Sequence, residues 1–98
     1  MEFVEPLKTG FTVYSKSGCI NCTKAKNLLK DKFLFFQVID CDDYLIDFKQ
    51  EFLETMKNKI GKSYSNFPMI FFDGVFIGGF NEINEFIPKL LLEFTEMF

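Results

Sequence analysis

Two cysteines stand three positions apart in the stretch Tyr14 to Cys22, Y-S-K-S-G-C-I-N-C, where a β-branched and aromatic run gives way to helical spacing. A helix start offers unpaired backbone N–H groups and the positive end of the helix dipole, and both favour a thiolate over a thiol. Cys19 is therefore the candidate nucleophile, with Lys16 placed beside it to support the negative charge. Cys22 lies about one turn further on and can attack a mixed disulfide formed on Cys19. A zinc site would need two more ligands, and with no histidine and only Cys41 left it would have to recruit carboxylates. Redox chemistry is the reading these residues favour, and no metal site is assigned.

The rest of the composition narrows the field further. A chain of 98 residues has room for one core, so residues 1–98 read as a single domain. An odd number of cysteines, three, argues against a paired secretory framework and for a reducing compartment, the cytosol by default. The charge balance is −3 and every basic side chain is lysine, so no nucleic-acid partner is expected. Met1 to Lys8 lacks the basic start and apolar run of a signal peptide, and no apolar run is long enough to span a bilayer, so no membrane partner is expected either.

These thiols need elements to hold them. Met1 to Gly10 reads as a helical turn or irregular lead-in, and Phe11 to Ser15 as a strand. Ser17 and Gly18 turn the chain, and Cys22, Ala25, Leu28 and Leu29 then share one face of a helix from Cys19 or Ile20 to near Lys32. The lysines of that helix read as a solvated face. Phe33 to Asp40 is a continuous apolar run, as for a strand covered on both faces. Cys41 reads as a small core or capping residue, and Asp42 and Asp43 as caps of the next helix. Leu45, Phe48, Phe52, Met56 and Ile60 make that helix's apolar stripe, and Gly61 ends it. After a polar loop and Pro68, Met69 to Phe72 and Val75 to Ile77 form a hairpin around Asp73-Gly74. Gly78-Gly79 breaks the last strand. Ile83, Phe86, Ile87, Leu90, Leu91 and Phe94 then share a helical face, with Pro88 expected to kink the segment or start a second helix.

Four features of this chain, in order and spacing, resemble the glutaredoxin family: Lys16 three residues before Cys19, the Cys19-Ile20-Asn21-Cys22 motif, Pro68 opening the third strand, and the Gly78-Gly79 pair. The resemblance covers nearly the whole length. It implies an α/β, thioredoxin-like fold, a central four-stranded mixed sheet flanked by helices in the order β-α-β-α-β-β-α. It further implies a glutathione-dependent thiol-disulfide oxidoreductase that reduces protein-glutathione mixed disulfides and protein disulfides through Cys19 and Cys22.

What the family implies for single positions is carried over one by one. Pro68 matches the family's cis-proline, which frees the main chain of Phe67 to meet a peptide-like ligand. Gly78 and Gly79 allow close approach of glutathione, Asn81 and Glu82 hold its γ-glutamyl end, and Lys16 and Lys62 meet its glycyl carboxylate. Asn21 belongs to the same glutathione-binding set, and Phe67 and Phe80 are the phenylalanines expected to reach a ligand. Ile20 and Asn21 stand where the family more often has proline and an aromatic residue. Some members lacking that proline hold a [2Fe–2S] cluster shared with a second subunit and two glutathiones, and a cluster carrier is the alternative function. The implied partners are glutathione and glutathionylated or disulfide-containing proteins, and the chain is expected to be a monomer unless a cluster bridges two copies.

Overall fold

The computed structural model describes residues 2–96, with side chains through residue 93. Residues 2–10 are an irregular lead-in pinned to the core. The Tyr14 hydroxyl donates to the Val4 carbonyl at 2.7 Å, the Thr12 hydroxyl accepts the Leu7 N–H at 2.9 Å, and Phe3 sits edge-on against Tyr44 and Phe52.

The strands are β1 (Phe11–Ser15), β2 (Phe36–Asp40), β3 (Met69–Phe72) and β4 (Val75–Gly78). The helices are α1 (Ile20–Asp31), α2 (Asp42–Asp47), α3 (Lys49–Ile60) and α4 (Phe80–Glu96). The strands form one mixed sheet ordered β2-β1-β3-β4, with β2 parallel to β1 and the other two pairings antiparallel. The expected four-stranded mixed sheet is therefore present. Every residue of β1 is buried.

Strand alternation divides the core into two layers. Phe11, Val13 and Ile70 face α1 and α4, where Ala25, Leu29, Ile83 and Ile87 complete one cluster. Tyr14, Met69 and Phe71 face the other side and meet Phe52 and Met56 of α3, with Ile39 and Cys41. Each of these large side chains contributes roughly 1.5–3 kcal/mol by leaving water. Pairing a sheet with helices on both faces is what fixes the end of β1 in space, and Cys19 hangs from that end.

Three expectations need correction. The run from Phe33 to Asp40 is not a strand covered on both faces. Only Phe36–Asp40 pairs, β2 is an edge strand, and Phe33 and Phe35 are 95% and 69% exposed. Asp42 and Asp43 do not cap α2. Its N-cap is Cys41, and the Asp42 carboxylate is turned to Ser17 instead. The helix expected to run to Gly61 is broken at Phe48, where φ −136 and ψ 33 close α2 and open α3. Asp47 at the C-terminal end of D-D-Y-L-I-D opposes the helix dipole and favours a stop there, and Tyr44 packs on Phe3 and Phe52. Of the two outcomes expected at Pro88, a second helix start is not seen: α4 runs through it as one helix, its packed face of Ile83, Ile87, Leu90 and Leu91 outweighing one lost bond. Phe94, expected on that face, lies outside the described side chains.

The punctuation is where it was expected. Gly61 closes α3 in the left-handed conformation at φ +92 and donates to the Lys57 carbonyl at 2.8 Å. Asp73 and Gly74, at φ +51 and +80, turn the β3–β4 hairpin.

Candidate active site

Cys19 is the N-cap of α1. Its backbone is extended and its sulfur accepts the Cys22 N–H at 3.1 Å, so one of the orphan amides of the helix start points at the nucleophile. Cys19 and Cys22 are paired as a disulfide with their Cα atoms 5.2 Å apart. Cys19 is half-buried, and its sulfur lies 3.6 Å from the Phe67 carbonyl oxygen. Cys22 is fully buried on the core face of α1. One sulfur is therefore partly exposed, and the other is buried beneath it.

The loop before Cys19 is held from outside. The Asp42 carboxylate accepts both the Ser17 N–H, at 2.9 Å, and the Ser17 hydroxyl. Those two bonds, with Lys16 nearby, keep the Asp42 carboxyl below the usual carboxylate range. The start of α2 thus staples the β1–α1 loop, and Lys16 with it.

The Phe67–Pro68 peptide is cis, as expected, and Pro68 is buried. The Phe67 ring stacks on Phe52 at 6.4 Å and lies under the Lys16 ammonium, 5.5 Å from ring centre to Nζ. Core, cis-proline loop and Lys16 are thereby linked through one ring. Lys24 sits over Phe80 at 5.8 Å on the opposite rim.

Gly78 and Gly79 are both buried at the far side of the groove. Gly78 holds φ +138, and a Cβ there would stand 2.6 Å from Glu82 Cγ, so two independent constraints demand glycine. Glu82 has a structural partner besides any ligand: its Oε1 accepts the Gly79 N–H at 2.7 Å while the Ile83 N–H returns to the Gly79 carbonyl. The Glu82 carboxylate thus caps the start of α4, and the second bond is the first turn of the helix itself.

A polar groove of ≈ 470 Å³ joins these parts. Of the residues singled out in the sequence, Lys16, Asn21, Phe67, Gly79, Phe80, Asn81 and Glu82 line it. Cys19, Cys22, Pro68, Gly78 and Lys62 are not among its lining residues, and Lys62 is exposed on the turn after Gly61. Tyr64, Ser65 and Asn66 also line the groove and were not among the candidate residues. Tyr64 packs edge-on against Phe76, its ring centre 4.9 Å away, and its phenol is pushed up by burial and by the nearby Glu82. Its hydroxyl comes close to the glycine pair, 3.5 Å from where a Gly79 Cβ would stand.

Cys41 stays apart from this chemistry. It is free, fully buried, and its thiol is pushed up to about 12 by burial first and by Asp40 second. Among the described residues no group of three or more His, Cys, Asp or Glu is placed to hold a metal, and no helix is long and apolar enough to cross a membrane.

Residues 11–77 match the family model described as Glutaredoxin. Mitochondrial glutaredoxin-2 of Bos taurus is 33% identical over 67 residues, covering 68% of this chain and 40% of the relative. The chain thus spans less than half the length of that relative. Among solved structures, glutaredoxin 1 of Francisella tularensis, complexed with cacodylate, is 30% identical with a TM-score of 0.72, covering 83% of this chain and 94% of the other. Reduced Escherichia coli glutaredoxin is 26% identical with a TM-score of 0.63, covering 83% and 95%. These likenesses carry the thioredoxin-like architecture. Because the family match spans more than half of the chain and takes in Lys16, both motif cysteines and the cis-proline, the chain belongs to the glutaredoxin family.

Proposed function

We propose that this chain is a glutathione-dependent thiol-disulfide oxidoreductase acting on protein-glutathione mixed disulfides and on protein disulfides. The observation that carries the reading is the position of Cys19, whose half-buried sulfur meets a helix N-terminus on one side and the Phe67 carbonyl at 3.6 Å on the other. Glutaredoxins use glutathione, and the groove beside Cys19 offers it main-chain groups next to Pro68 and the glycine pair. Lys16, with Lys62 as a more distant second cation, faces the glycyl carboxylate. Asn81 and Glu82 face the γ-glutamyl end, and Asn21 lines the wall between.

In the proposed cycle the Cys19 thiolate attacks the glutathione sulfur of a protein–S–S–glutathione bond. A Cys19–glutathione disulfide forms, and the protein thiolate leaves and takes a proton. A second glutathione thiolate then attacks the glutathione sulfur on Cys19, releasing oxidised glutathione and restoring the Cys19 thiolate. In the dithiol route Cys22 attacks Cys19, forms the internal disulfide and expels glutathione; family potentials of about −200 to −230 mV let a glutathione pool reverse that step.

A deglutathionylation assay coupled to glutathione reductase, with the visible spectrum of the same sample, tests this reading. Cys19→Ser is expected to abolish turnover and Cys22→Ser to retain it. Full activity in Cys19→Ser refutes the assignment. Visible absorbance with a dimer that dissociates as the colour bleaches would support the alternative, in which Cys19 of each chain and two glutathiones hold a [2Fe–2S] cluster; Ile20, 74% exposed beside Cys19, leaves that approach open. The reading places the chain in a reducing compartment, the cytosol by default. Imaging the tagged chain tests this, and a mitochondrial signal, as in the relatives' names, would change the compartment and leave the chemistry intact.

A further inference from the structure

The loop between α3 and β3 and the start of α4 line the same groove, and Tyr64 of the loop brings a phenol into it. The ring is half-buried and held edge-on by Phe76 of β4. Its hydroxyl, Glu82 Oε1 and the Pro68 carbonyl oxygen each lie 3.5 Å from the point where a Gly79 Cβ would stand, so polar atoms of three segments converge on the open side of one glycine. Glu82 has one oxygen fixed on the Gly79 N–H, which leaves the other for a ligand. The Tyr64 hydroxyl has no hydrogen-bond partner among the described residues and is open to solvent. Burial and the negative Glu82 both push the phenol up, so it keeps its proton and meets a ligand as a donor. The amides of Phe80, Asn81 and Glu82 come before the first bond of α4, from the Ile83 N–H to the Gly79 carbonyl, and add the positive end of the helix dipole.

This arrangement sorts charge around one point. Glu82 and the Pro68 carbonyl suit an ammonium, whereas the Tyr64 hydroxyl and the α4 amides suit a carboxylate. A ligand that carries both groups on one carbon, an α-amino-acid head, satisfies them together. We propose that Tyr64 is a specificity-determining binding residue: its hydroxyl donates to the α-carboxylate of a γ-glutamyl head whose α-ammonium is held by Glu82. The inference rests on the glutathione reading and adds to it a contact that favours an intact γ-glutamyl head over a cysteinylglycine disulfide. It also gives Gly79 a reason different from that of Gly78. Gly79 is not at positive φ, and a Cβ there would meet nothing closer than 3.5 Å, so the fold tolerates a side chain where the ligand head does not.

Nuclear magnetic resonance titration of the reduced chain with S-methylglutathione, which binds without reacting, tests the contact in Tyr64→Phe, a change that keeps the ring against Phe76. The dissociation constant is expected to rise about tenfold, the worth of one hydrogen bond to a charged group. Analogues of S-methylglutathione locate the bond. With the α-amino group removed from the γ-glutamyl head, the variant is again expected to bind about tenfold more weakly than wild type. With the α-carboxylate removed instead, the two proteins are expected to bind alike. Gly79→Ala is expected to keep the thermal midpoint and to lose most of the binding. Equal affinity of wild type and Tyr64→Phe for S-methylglutathione, a penalty that persists without the α-carboxylate, or a wild-type chain that does not bind S-methylglutathione would each overturn the proposal. Turnover is read separately: a wild-type chain that binds in this Tyr64-dependent way without deglutathionylating a substrate supports the contact and refutes the oxidoreductase reading.

Discussion

At the scale of single residues, the three cysteines separate by environment. Cys19 is half-buried with an amide pointed at it, Cys22 is buried one turn on, and Cys41 is buried with its proton held. Cys41 makes a pH prediction whose sign follows from linkage. Its thiol is held at about 12 in the fold against 9.0 when free, so below pH 9 both states keep the proton and stability is full. As pH rises from 9 toward 12 the unfolded chain loses a proton that the folded chain retains, and stability falls. Between pH 9 and 10 the fall belongs to Cys41; above 10, Tyr14, whose phenol burial pushes higher still, adds to it. Urea midpoints of wild type and Cys41→Ala across this range are expected to converge as pH rises, and a constant gap would contradict the assignment. Under native conditions near neutral pH, Cys41 is also expected to resist iodoacetamide while reduced Cys19 reacts.

Elements decide how rigidly the nucleophile is aimed. The Ser17–Asp42 staple ties the loop before Cys19 to the start of α2, and Asp42→Ala is expected to lower kcat/KM several-fold with little change in thermal midpoint, Asp42→Asn less so. Its carboxyl is held below its usual value of 3.8, so the staple is intact at neutral pH and is lost only as pH falls through the depressed value. An unchanged kcat/KM in Asp42→Ala would show that the loop holds itself. On the opposite wall, Gly78→Ala meets both a forbidden φ and the Glu82 side chain. It is expected to cost about 1–3 kcal/mol, read from thermal or urea unfolding, and to raise the KM for glutathione by pushing Glu82 off its cap. A Gly78→Ala chain with wild-type stability and KM would remove Gly78 from the groove's design.

Across the whole molecule, the second core layer and the site share the Phe52 ring. It touches Phe3, Tyr14 and Tyr44 on the core side and stacks on Phe67 on the site side. Phe52→Ala is expected to cost about 3–5 kcal/mol in the urea midpoint, a large part of the stability of any small domain. Turnover is expected to fall even where the variant is still folded, because Phe67 loses the ring that backs it. Full turnover at a temperature where the variant is native would separate the two roles.

Sequence alone determined the features that depend on neighbours along the chain: the strand into Cys19, the amphipathic face of α1, the Asp73-Gly74 hairpin, the left-handed stop at Gly61 and the glycine pair. Each obeys a local rule of spacing or backbone freedom, so a few residues suffice to specify it. What lies next to what across the fold was decided only by tertiary structure. The apolar run from Phe33 to Asp40 reads as a covered strand because hydropathy records composition and not position in a sheet; as β2 it lies on an edge. Asp42 reads as a cap because nothing local announces Ser17, twenty-five positions away. Tyr64 enters the groove and Lys62 stays outside it because the loop's path is set by packing against β4. The two thiols and their helix start could be read directly, whereas the groove that gives Cys19 a substrate had to be assembled from segments as far apart as Lys16 and Glu82.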